Sequence, residues 1–302
     1  MESTYDFDMM AARLKERHVR VAVALPADDH TQEVVARCLD EGLADFVLVA
    51  NNGCRRWAED ACSQHEGHVT IRMAEDATEA ARMAVKEVKE GRADVLMKGT
   101  VNTDVLLRAV LDKVDGLLKP GSVMSHVAAA HIPAYNKMIL FSDAAVIPRP
   151  DIDQFDAMLT YTADIFHRMN GEASMAHVAL IHCTEKVNEK FPHTLDYVEL
   201  KRRAATGRYG HTLVDGPMDV KTAFDKESAH IKGIQSSVAG EADILIFPNI
   251  EAGNTFYKTI TCFAQADTAG LLCGVSAPVV VASRADTAES KYHSLVMACT
   301  IA

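Results

Sequence analysis

Short runs of apolar residues alternate with segments of helical period along almost the whole chain. Runs that are apolar at every position are typical of strands in a sheet that is buried on both faces. The alternation of such strands with helices predicts an α/β fold with mostly parallel strands. The predicted strands cover residues 19–25, 45–50, 68–73, 93–97, 138–142, 177–183, 211–216, 242–247 and 278–283.

The helices between these strands carry start signals of their own. In the helix predicted over residues 76–90, Asp76 can cap the first turn, and Glu79 follows at the position of a capping-box partner. The regular alternation breaks once, over residues 122–146, where two extended runs flank a turn that contains Pro133. This stretch predicts an antiparallel hairpin and a place at which the chain leaves one domain for another.

The composition limits the classes of function. The chain has 302 residues, of which 48% are hydrophobic and 24% charged, and this favours two globular domains. The formal net charge is −11 without a basic stripe, so we expect no nucleic acid as a partner. A polyanionic substrate would need a few local cations to overcome this negative field.

Targeting and redox signals are also informative. The sequence shows no signal-peptide pattern and no apolar stretch of the roughly 18 residues that a membrane helix needs. We therefore expect a cytoplasmic protein without a membrane partner. Seven scattered cysteines with no CxxC pair favour reduced thiols. No zinc-type spacing of Cys and His and no HExxH motif occurs, so we expect no metal site.

Polar clusters stand at the ends of five of the predicted strands. In open α/β sheets, ligands bind outside the carboxyl ends of the strands, so these clusters predict an enzyme cleft assembled from distant segments. The clusters are Lys98-Gly99-Thr100, Asp143, Asp215-Gly216-Pro217, Glu251-Ala252-Gly253-Asn254 and Ser283-Arg284-Ala285-Asp286.

The clearest candidate is the segment from Ser283 to Asp286. A strand is predicted to end at Ser283 and a helix to begin near Asp286, so backbone N–H groups would face a ligand. The guanidinium of Arg284 beside them can bind a phosphate through two hydrogen bonds. The alternative is that Asp286 merely caps the helix and Arg284 is a surface residue. The position at a strand end favours the functional interpretation.

Two further clusters are candidates for substrate binding. Gly253 allows close approach of the backbone and Asn254 offers a donor and an acceptor, although a turn with a helix cap is also typical of Gly-Asn. Lys98, Gly99 and Thr100 resemble a phosphate-binding turn, but the chain has neither a Walker motif nor a GxGxxG fingerprint. Lys98 is either a cation of the cleft or a solvated lysine at a strand end.

The remaining polar positions have weaker signals. Asp143 and Asp215 could be metal ligands or hydrogen-bond anchors, and the anchoring role is favoured for each. Ser125 and His126 could contact substrate, but no acid adjacent in sequence completes a triad. Cys183 lies at a strand end, where a buried cysteine that behaves as a small hydrophobe is favoured over a nucleophile.

Six stretches of the sequence, taken together, carry a resemblance to a known family. They are ADVLMKGTVNTDVLLRAVLDK, SHVAAAHIP, MILFSDAAV, VDGPMDVKTAFDKESAHIKGI, VAGEADILIFPNIEAGNTFYK and APVVVASRADTAESK, and they cover most of the chain from around Ala93 onward. They resemble the phosphate acetyltransferase and phosphate butyryltransferase family, and more closely its butyryl branch. The resemblance implies reversible transfer of a short-chain acyl group, butyryl favoured, between coenzyme A and inorganic phosphate. Acetyl and propionyl stay open as the acyl group.

The resemblance also implies an architecture. It predicts two three-layer α/β domains of the isocitrate/isopropylmalate dehydrogenase-like type with a cleft between them. The first domain would comprise residues 1–128 and 276–302, and the second would comprise residues 129–275. Members of the family are usually homodimers or larger, require no cofactor and use coenzyme A as a substrate.

Residue roles follow from the same resemblance. It implies that Arg284 holds phosphate and that Ser283 donates to phosphate or to the developing oxyanion. The coenzyme A thiol needs a base, since a thiol has an ordinary pKa of about 8.5. Asp286 is the hypothesised base and Glu289 the alternate, because the acetyl branch places its proposed catalytic acid further beyond Ser-Arg than Asp286 lies. The substrate-binding residues that it implies are Lys98, Gly99, Thr100, Ser125, His126, Asp143, Glu251, Gly253, Asn254 and Lys258.

The sequence departs from the family pattern at Asn249, and two other classes of function stay open. Asn249 stands where the family often has Asp before Ile-Glu-Ala-Gly-Asn, and this removes a possible charge. A metal-dependent dehydrogenase-like enzyme would use acids such as Asp143, but a trio of acids and a dinucleotide fingerprint are missing from the sequence. A non-catalytic ligand-binding protein is the third class, and the combination of Ser283, Arg284 and Asp286 disfavours it.

Overall fold

The computed structural model describes residues 6–282 and 286–302. The chain divides into two compact units, which we call the N-terminal unit (residues 6–124 and 269–302) and the central unit (residues 125–268). The sequence-based boundaries fall after residues 128 and 275, whereas the units divide after residues 124 and 268. The elements along the chain are α1 (Phe7–Leu14), β1 (Arg20–Ala24), α2 (Asp29–Asp40), β2 (Asp45–Ala50), α3 (Arg55–Gln64), β3 (Val69–Met73), α4 (Ala77–Lys89), β4 (Val95–Lys98), α5 (Thr103–Val110), β5 (Ser125–His131), β6 (Met138–Ser142), α6 (Ile152–Asn170), β7 (Ala176–Ile181), α7 (His193–Ala205), β8 (Thr212–Met218), α8 (Val220–Phe224), α9 (Lys226–Ile231), β9 (Ile244–Ile246), α10 (Ile250–Phe263), β10 (Asp267–Cys273), β11 (Val279–Val280) and α11 (Ala288–Ile301).

A mostly parallel sheet forms the centre of the N-terminal unit. Its strand order is β3-β2-β1-β4-β11-β10, in which β10 is antiparallel to β11 and the other neighbours are parallel. Residues Val21 to Ala24 of β1 are fully buried, so both faces of the sheet are covered there, as the apolar run predicts. Ala24 pairs with Lys98, which places the carboxyl ends of β1 and β4 side by side.

Two helices of this unit, α2 and α11, pack against each other. Helix α2 begins after Asp28, whose side chain accepts a hydrogen bond from the N–H of Thr31. Helix α11 is buried on all sides, since every residue from Lys291 to Cys299 is buried. Burial of polar groups is costly unless they are hydrogen-bonded, so the polar residues on this helix need partners.

The central unit contains a second set of strands in the order β5-β6-β9-β7-β8. Strands β5 and β6 form an antiparallel hairpin, and the other neighbours are parallel. The rings of Phe247 and Phe256 pack edge to face on Phe141, with centroid distances of 6.2 Å and 5.3 Å. Ser142 pairs with Ile246, so the segments that follow β6 and β9 start at the same edge.

The mixed α/β architecture and the hairpin over residues 122–146 are confirmed. Several details of the predicted strands are wrong. Strand β10 was not predicted, because Asp267, Thr268 and Gly270 interrupt its apolar pattern, and β11 spans two residues of the predicted 278–283. Asp215 lies within β8 and not beyond its end. The strand continues through Pro217, which an edge strand tolerates.

Two helix starts also differ from the sequence-based interpretation. Asp76 caps α4, as predicted, and accepts hydrogen bonds from the N–H groups of Thr78 and Glu79, both at 2.8 Å. The capping box is wrong, because the Glu79 carboxylate accepts from the N–H of Glu75 and not from that of Asp76. Helix α11 begins at Ala288 with Thr287 as its cap, so the capping role considered for Asp286 is wrong. Over residues 6–282 and 286–302, no helix has the length and apolar character needed to cross a membrane.

Candidate active site

The candidate residues of the central unit are organised around the carboxylate of Asp143, which is 1% exposed. One oxygen, Oδ2, accepts hydrogen bonds from the Ser125 hydroxyl at 2.9 Å and from the His126 N–H at 2.8 Å. The other, Oδ1, accepts from the N–H groups of Ala145 and Val146, both at 2.7 Å. Four donors compensate the burial of this charge, as a buried carboxylate requires. Asp143 therefore fixes the start of β5 relative to the loop after β6.

Helix α10 packs its first turn against that loop. The Asn254 amide donates to the carbonyl oxygen of Ala144 at 3.0 Å. A Cβ atom at Gly253 would lie 3.0 Å from the carbonyl carbon of Asp143 and closer still to its oxygen, so only glycine fits there. Asn249 caps the helix by accepting from the Ala252 N–H at 2.9 Å. The amide thus performs the capping that an aspartate would perform, without the charge. We call Ser125, His126, Asp143, Gly253 and Asn254 the Asp143 cluster.

The other two candidates on α10 are outside this packing. Glu251 occupies an exposed position in the first turn of the helix. Lys258 is also exposed, and its ammonium lies 4.8 Å from the ring centroid of Tyr257. Both residues are accessible for contact with a ligand.

The candidates of the N-terminal unit lie at the carboxyl end of β4. Lys98 is 4% exposed, and its ammonium donates to the carbonyl oxygens of Gly99 at 3.1 Å and Val101 at 3.4 Å. The N–H and the hydroxyl of Thr100 both donate to the carbonyl oxygen of Leu25, at 2.8 Å and 3.1 Å. A Cβ atom at Gly99 would lie 2.7 Å from the Leu25 carbonyl carbon, so glycine is required for this turn.

This turn lines a cleft of about 350 Å³, whose lining residues are Asp28, Asp29, His30, Lys98, Gly99, Thr100 and Lys291. We call it the lysine cleft. The Asp28 carboxylate accepts hydrogen bonds from the Thr31 hydroxyl at 2.6 Å and from the Lys291 ammonium at 2.9 Å. Burial alone would raise the pKa of Asp28, but the hydrogen bonds from Thr31 and Lys291 lower it below its usual value. The carboxylate and the ammonium therefore form a charged pair beside the cleft.

The four catalytic candidates differ in what the structure describes. Ser283 and Arg284 lie outside the described residues. Asp286 precedes the Thr287 cap of α11. Glu289 lies in the first turn of that helix, where its carboxylate pairs with the Arg37 guanidinium at 2.8 Å and with the His293 imidazole at 3.2 Å. The Glu289 carboxylate thus already has two basic partners.

Sequence reasoning missed Asp28 and Lys291 and misplaced Asp215. The expected burial of Cys183 is also wrong, because this residue is exposed. Asp28 lies four residues beyond the end of β1, so its position shortly after a predicted strand was a usable signal. Lys291 lies within a helix, where a single lysine carries no such signal. Asp215 pairs with the Lys201 ammonium at 2.5 Å within the central unit, as expected of an anchor. Among the described residues, no three His, Cys, Asp or Glu side chains are placed to hold a metal ion.

Comparison with solved structures gives the class of protein to which this α/β fold corresponds. A branched-chain phosphotransacylase from Enterococcus faecalis superposes with a TM-score of 0.79 and 26% sequence identity, over 94% of this chain and 98% of that one. A phosphate butyryltransferase from Clostridium beijerinckii is 35% identical over 98% of both chains. A phosphate acetyltransferase from Thermotoga maritima is 34% identical over 94% of this chain and 95% of its own.

The family model described as phosphate acetyl/butaryl transferase matches residues 55–299. The chain belongs to this family. It is therefore an acyltransferase, and the resemblance inferred from the sequence is confirmed.

Proposed function

We propose that the chain catalyses reversible transfer of a butyryl or similar short-chain acyl group between coenzyme A and inorganic phosphate. The observation that supports this most strongly is the family match over residues 55–299, which contains every site residue selected from the sequence. Similarity to butyryltransferases of nearly equal length favours butyryl over acetyl. In the reaction, a phosphate oxygen attacks the thioester carbonyl carbon, the carbon–sulfur bond breaks, and the products are acyl phosphate and coenzyme A.

The segment between β11 and α11 carries the residues to which we assign phosphate binding, stabilisation of the oxyanion and proton transfer. We assign Arg284 to phosphate and Ser283 to the developing oxyanion or to phosphate, on the strength of the family resemblance. In the reverse direction the thiol of coenzyme A must lose a proton to a base. We assign that role to Asp286 in preference to Glu289. The reason is that Arg37 and His293 already occupy the Glu289 carboxylate as hydrogen-bond and ion-pair partners.

The Asp143 cluster supplies a rigid surface for the substrate. The Asp143 carboxylate is saturated by four donors, so it acts as a positioning residue that holds Ser125 and His126 at the start of β5. Asn254 is held against the Ala144 carbonyl, and the exposed Glu251 and Lys258 on the same helix complete the proposed substrate contacts. Orientation of this kind contributes to catalysis because the reacting groups are already in place.

The wider assignments belong to the same proposal. The two units would have the isocitrate/isopropylmalate dehydrogenase-like fold. The protein would be a cytoplasmic homodimer or larger assembly that uses acyl-CoA and phosphate, without a cofactor. Nucleic acid and membranes would not be partners, in keeping with the net charge of −11.

The decisive experiment measures thioester cleavage with acetyl-, propionyl- and butyryl-CoA, each with and without phosphate and in the presence of a chelator. Cys183 and Cys262 are exposed and would react with a thiol reagent, so thioester absorbance is the better signal. We expect phosphate-dependent cleavage that is fastest with butyryl-CoA. Cleavage that is faster with acetyl-CoA would assign the protein to the acetyl branch. No cleavage by the folded protein would refute the proposal. The metal-dependent dehydrogenase-like enzyme and the non-catalytic ligand-binding protein would then be the alternatives to test.

A further inference from the structure

Lys291 is a buried cation that the proposed mechanism does not use. It lies on α11 and is 6% exposed, so its ammonium has lost most of its hydration. An ammonium carries three N–H donors and no acceptor. Within residues 6–282 and 286–302, the hydrogen-bond acceptor of this ammonium is Oδ1 of Asp28, at 2.9 Å. A second acceptor group would therefore improve the environment of this charge, because buried charges need several partners.

The position of Lys291 indicates where such an acceptor would come from. Its side chain lines the lysine cleft together with Lys98, a second buried lysine that extends from the end of β4. The cleft of about 350 Å³ is large enough for a phosphate group with part of the molecule that carries it. Lys98 and Lys291 offset the carboxylates of Asp28 and Asp29 at this cleft and are local cations of the kind that an anionic substrate needs in a chain with a net charge of −11.

The carboxylate of Asp28 does not prevent Lys291 from binding an anion. Its two oxygens already accept from Lys291 and from the N–H and hydroxyl of Thr31. Asp28 therefore keeps the Lys291 ammonium at the cleft wall, as second-layer carboxylates orient ligating groups elsewhere. The donors of Lys291 that Asp28 does not use can then bind an incoming oxyanion.

We propose that the lysine cleft binds a phosphate group of a substrate through the ammonium groups of Lys291 and Lys98, with Asp28 as the residue that positions Lys291. The inference rests on the proposed function, which supplies two sources of this chemistry. One is inorganic phosphate, and the other is a phosphate of coenzyme A. Charge-assisted hydrogen bonds are the stronger kind, so loss of one such contact has a measurable effect on affinity.

The test compares Lys291→Gln, Asp28→Asn and the double variant, with Lys86→Gln as a matched control. Lys86 is an exposed lysine on α4 of the same unit, so its replacement removes the same charge away from the cleft. Loss of a charged hydrogen bond in Lys291→Gln should raise one KM by roughly 10- to 100-fold. Asp28→Asn keeps the cation, so its KM should stay far closer to that of the wild-type protein. The double variant should retain the full defect of Lys291→Gln.

Two acyl donors identify the source of the phosphate. Butyryl-pantetheine lacks the phosphate groups of butyryl-CoA. If Lys291 binds a coenzyme A phosphate, Lys291→Gln raises the KM for butyryl-CoA and leaves that for butyryl-pantetheine unchanged. If it binds inorganic phosphate, the KM for phosphate rises with both donors. An unchanged KM for every substrate would refute the inference, and so would recovery by the double variant, which indicates a purely structural ion pair.

A binding measurement separates this inference from the proposed function. Calorimetric titration with coenzyme A, pantetheine and inorganic phosphate reports on the cleft even if the wild-type protein shows no turnover. Equal affinities of the wild-type protein and Lys291→Gln for all three would refute the inference. If Lys291→Gln does not fold, as judged by circular dichroism, Lys98→Gln provides the second variant. We expect it to weaken binding of the same ligand.

Discussion

Replacement of Gly253 by alanine tests whether the first turn of α10 and the loop after β6 act as one rigid support for the site. Two effects oppose each other in this variant. Alanine is favoured over glycine inside a helix by about 1 kcal/mol, so helix propensity alone would stabilise the protein. The added methyl group, however, would lie 3.0 Å from the Asp143 carbonyl carbon and 3.3 Å from the Ala144 Cα atom. Unstrained carbon–carbon contacts are about 3.5–4.0 Å long.

The contact distances decide which effect is larger. The neighbouring atoms are backbone, so they cannot rotate away as a flexible side chain would, and the overlap with the Asp143 carbonyl oxygen requires α10 to withdraw from the loop by roughly 1 Å or more. Overpacking of this kind costs about 1–3 kcal/mol, which exceeds the gain in helix propensity over most of that range. The same displacement would separate the Asn254 amide from the Ala144 carbonyl that it contacts at 3.0 Å. A misplacement of about 1 Å can reduce the rate on the order of 100-fold.

We therefore expect Gly253→Ala to lower the melting temperature and to reduce kcat/KM for butyryl-CoA by roughly 10- to 100-fold. Thermal unfolding and phosphate-dependent thioester cleavage are measured on the same preparation. Gly53→Ala is the matched control, since the added methyl group would meet the side-chain oxygen of Asn51 at 3.2 Å and no backbone. A Gly253→Ala protein that melts at or above the wild-type temperature with undiminished kcat/KM would refute the packing argument.

Three further predictions concern single side chains. Asp143→Asn puts an NH2 group where one carboxylate oxygen accepts two hydrogen bonds, so at least one N–H donor loses its acceptor, and we expect a loss of about 1–3 kcal/mol in the free energy of unfolding, measured with urea. Asp286→Asn should reduce the rate of coenzyme A acylation by acyl phosphate by about 100-fold or more, whereas Glu289→Gln should mainly lower stability; the reverse order would make Glu289 the base. Burial raises the pKa of Cys299 to about 12, so maleimide at pH 8 should label the exposed Cys183 and spare Cys299, as mass spectrometry can determine.

The parallel strands were predictable because their burial on both faces is visible in the sequence. Strand β1 reads as a continuous apolar run, and its residues from Val21 to Ala24 are fully buried. Strand β10 was not predictable by the same criterion, since Thr268 and Gly270 mix with its apolar residues. Its place at the end of the N-terminal unit's sheet depends on antiparallel pairing with β11, a contact that no local pattern encodes. Local periodicity therefore predicts strands that are apolar at every position better than strands, such as β10, whose apolar pattern is interrupted.

The site residues divide in a similar way. Position at a strand end was sufficient to select Lys98 and Asp143, because a strand end is a local feature of the sequence. The four donors that saturate Asp143 come from two segments, and the pairing of β5 with β6 brings those segments together. The choice between Asp286 and Glu289 depends likewise on Arg37, a residue far away in the sequence. Candidate residues can thus be selected from the sequence alone. Assigning a role to each candidate requires knowledge of its tertiary contacts.

Helix α11 shows which additional signal a sequence can offer. A helix with polar residues spread around an otherwise apolar surface has no exposed face to accommodate them, so each one needs a partner or a ligand. In this helix Ser294 accepts from the Gly270 N–H at 3.0 Å, and His293 pairs with Glu289 at 3.2 Å. Lys291 pairs with Asp28 and still carries donors toward the lysine cleft. A charged residue in a helix buried on all sides is therefore a candidate for ligand binding even when no motif surrounds it.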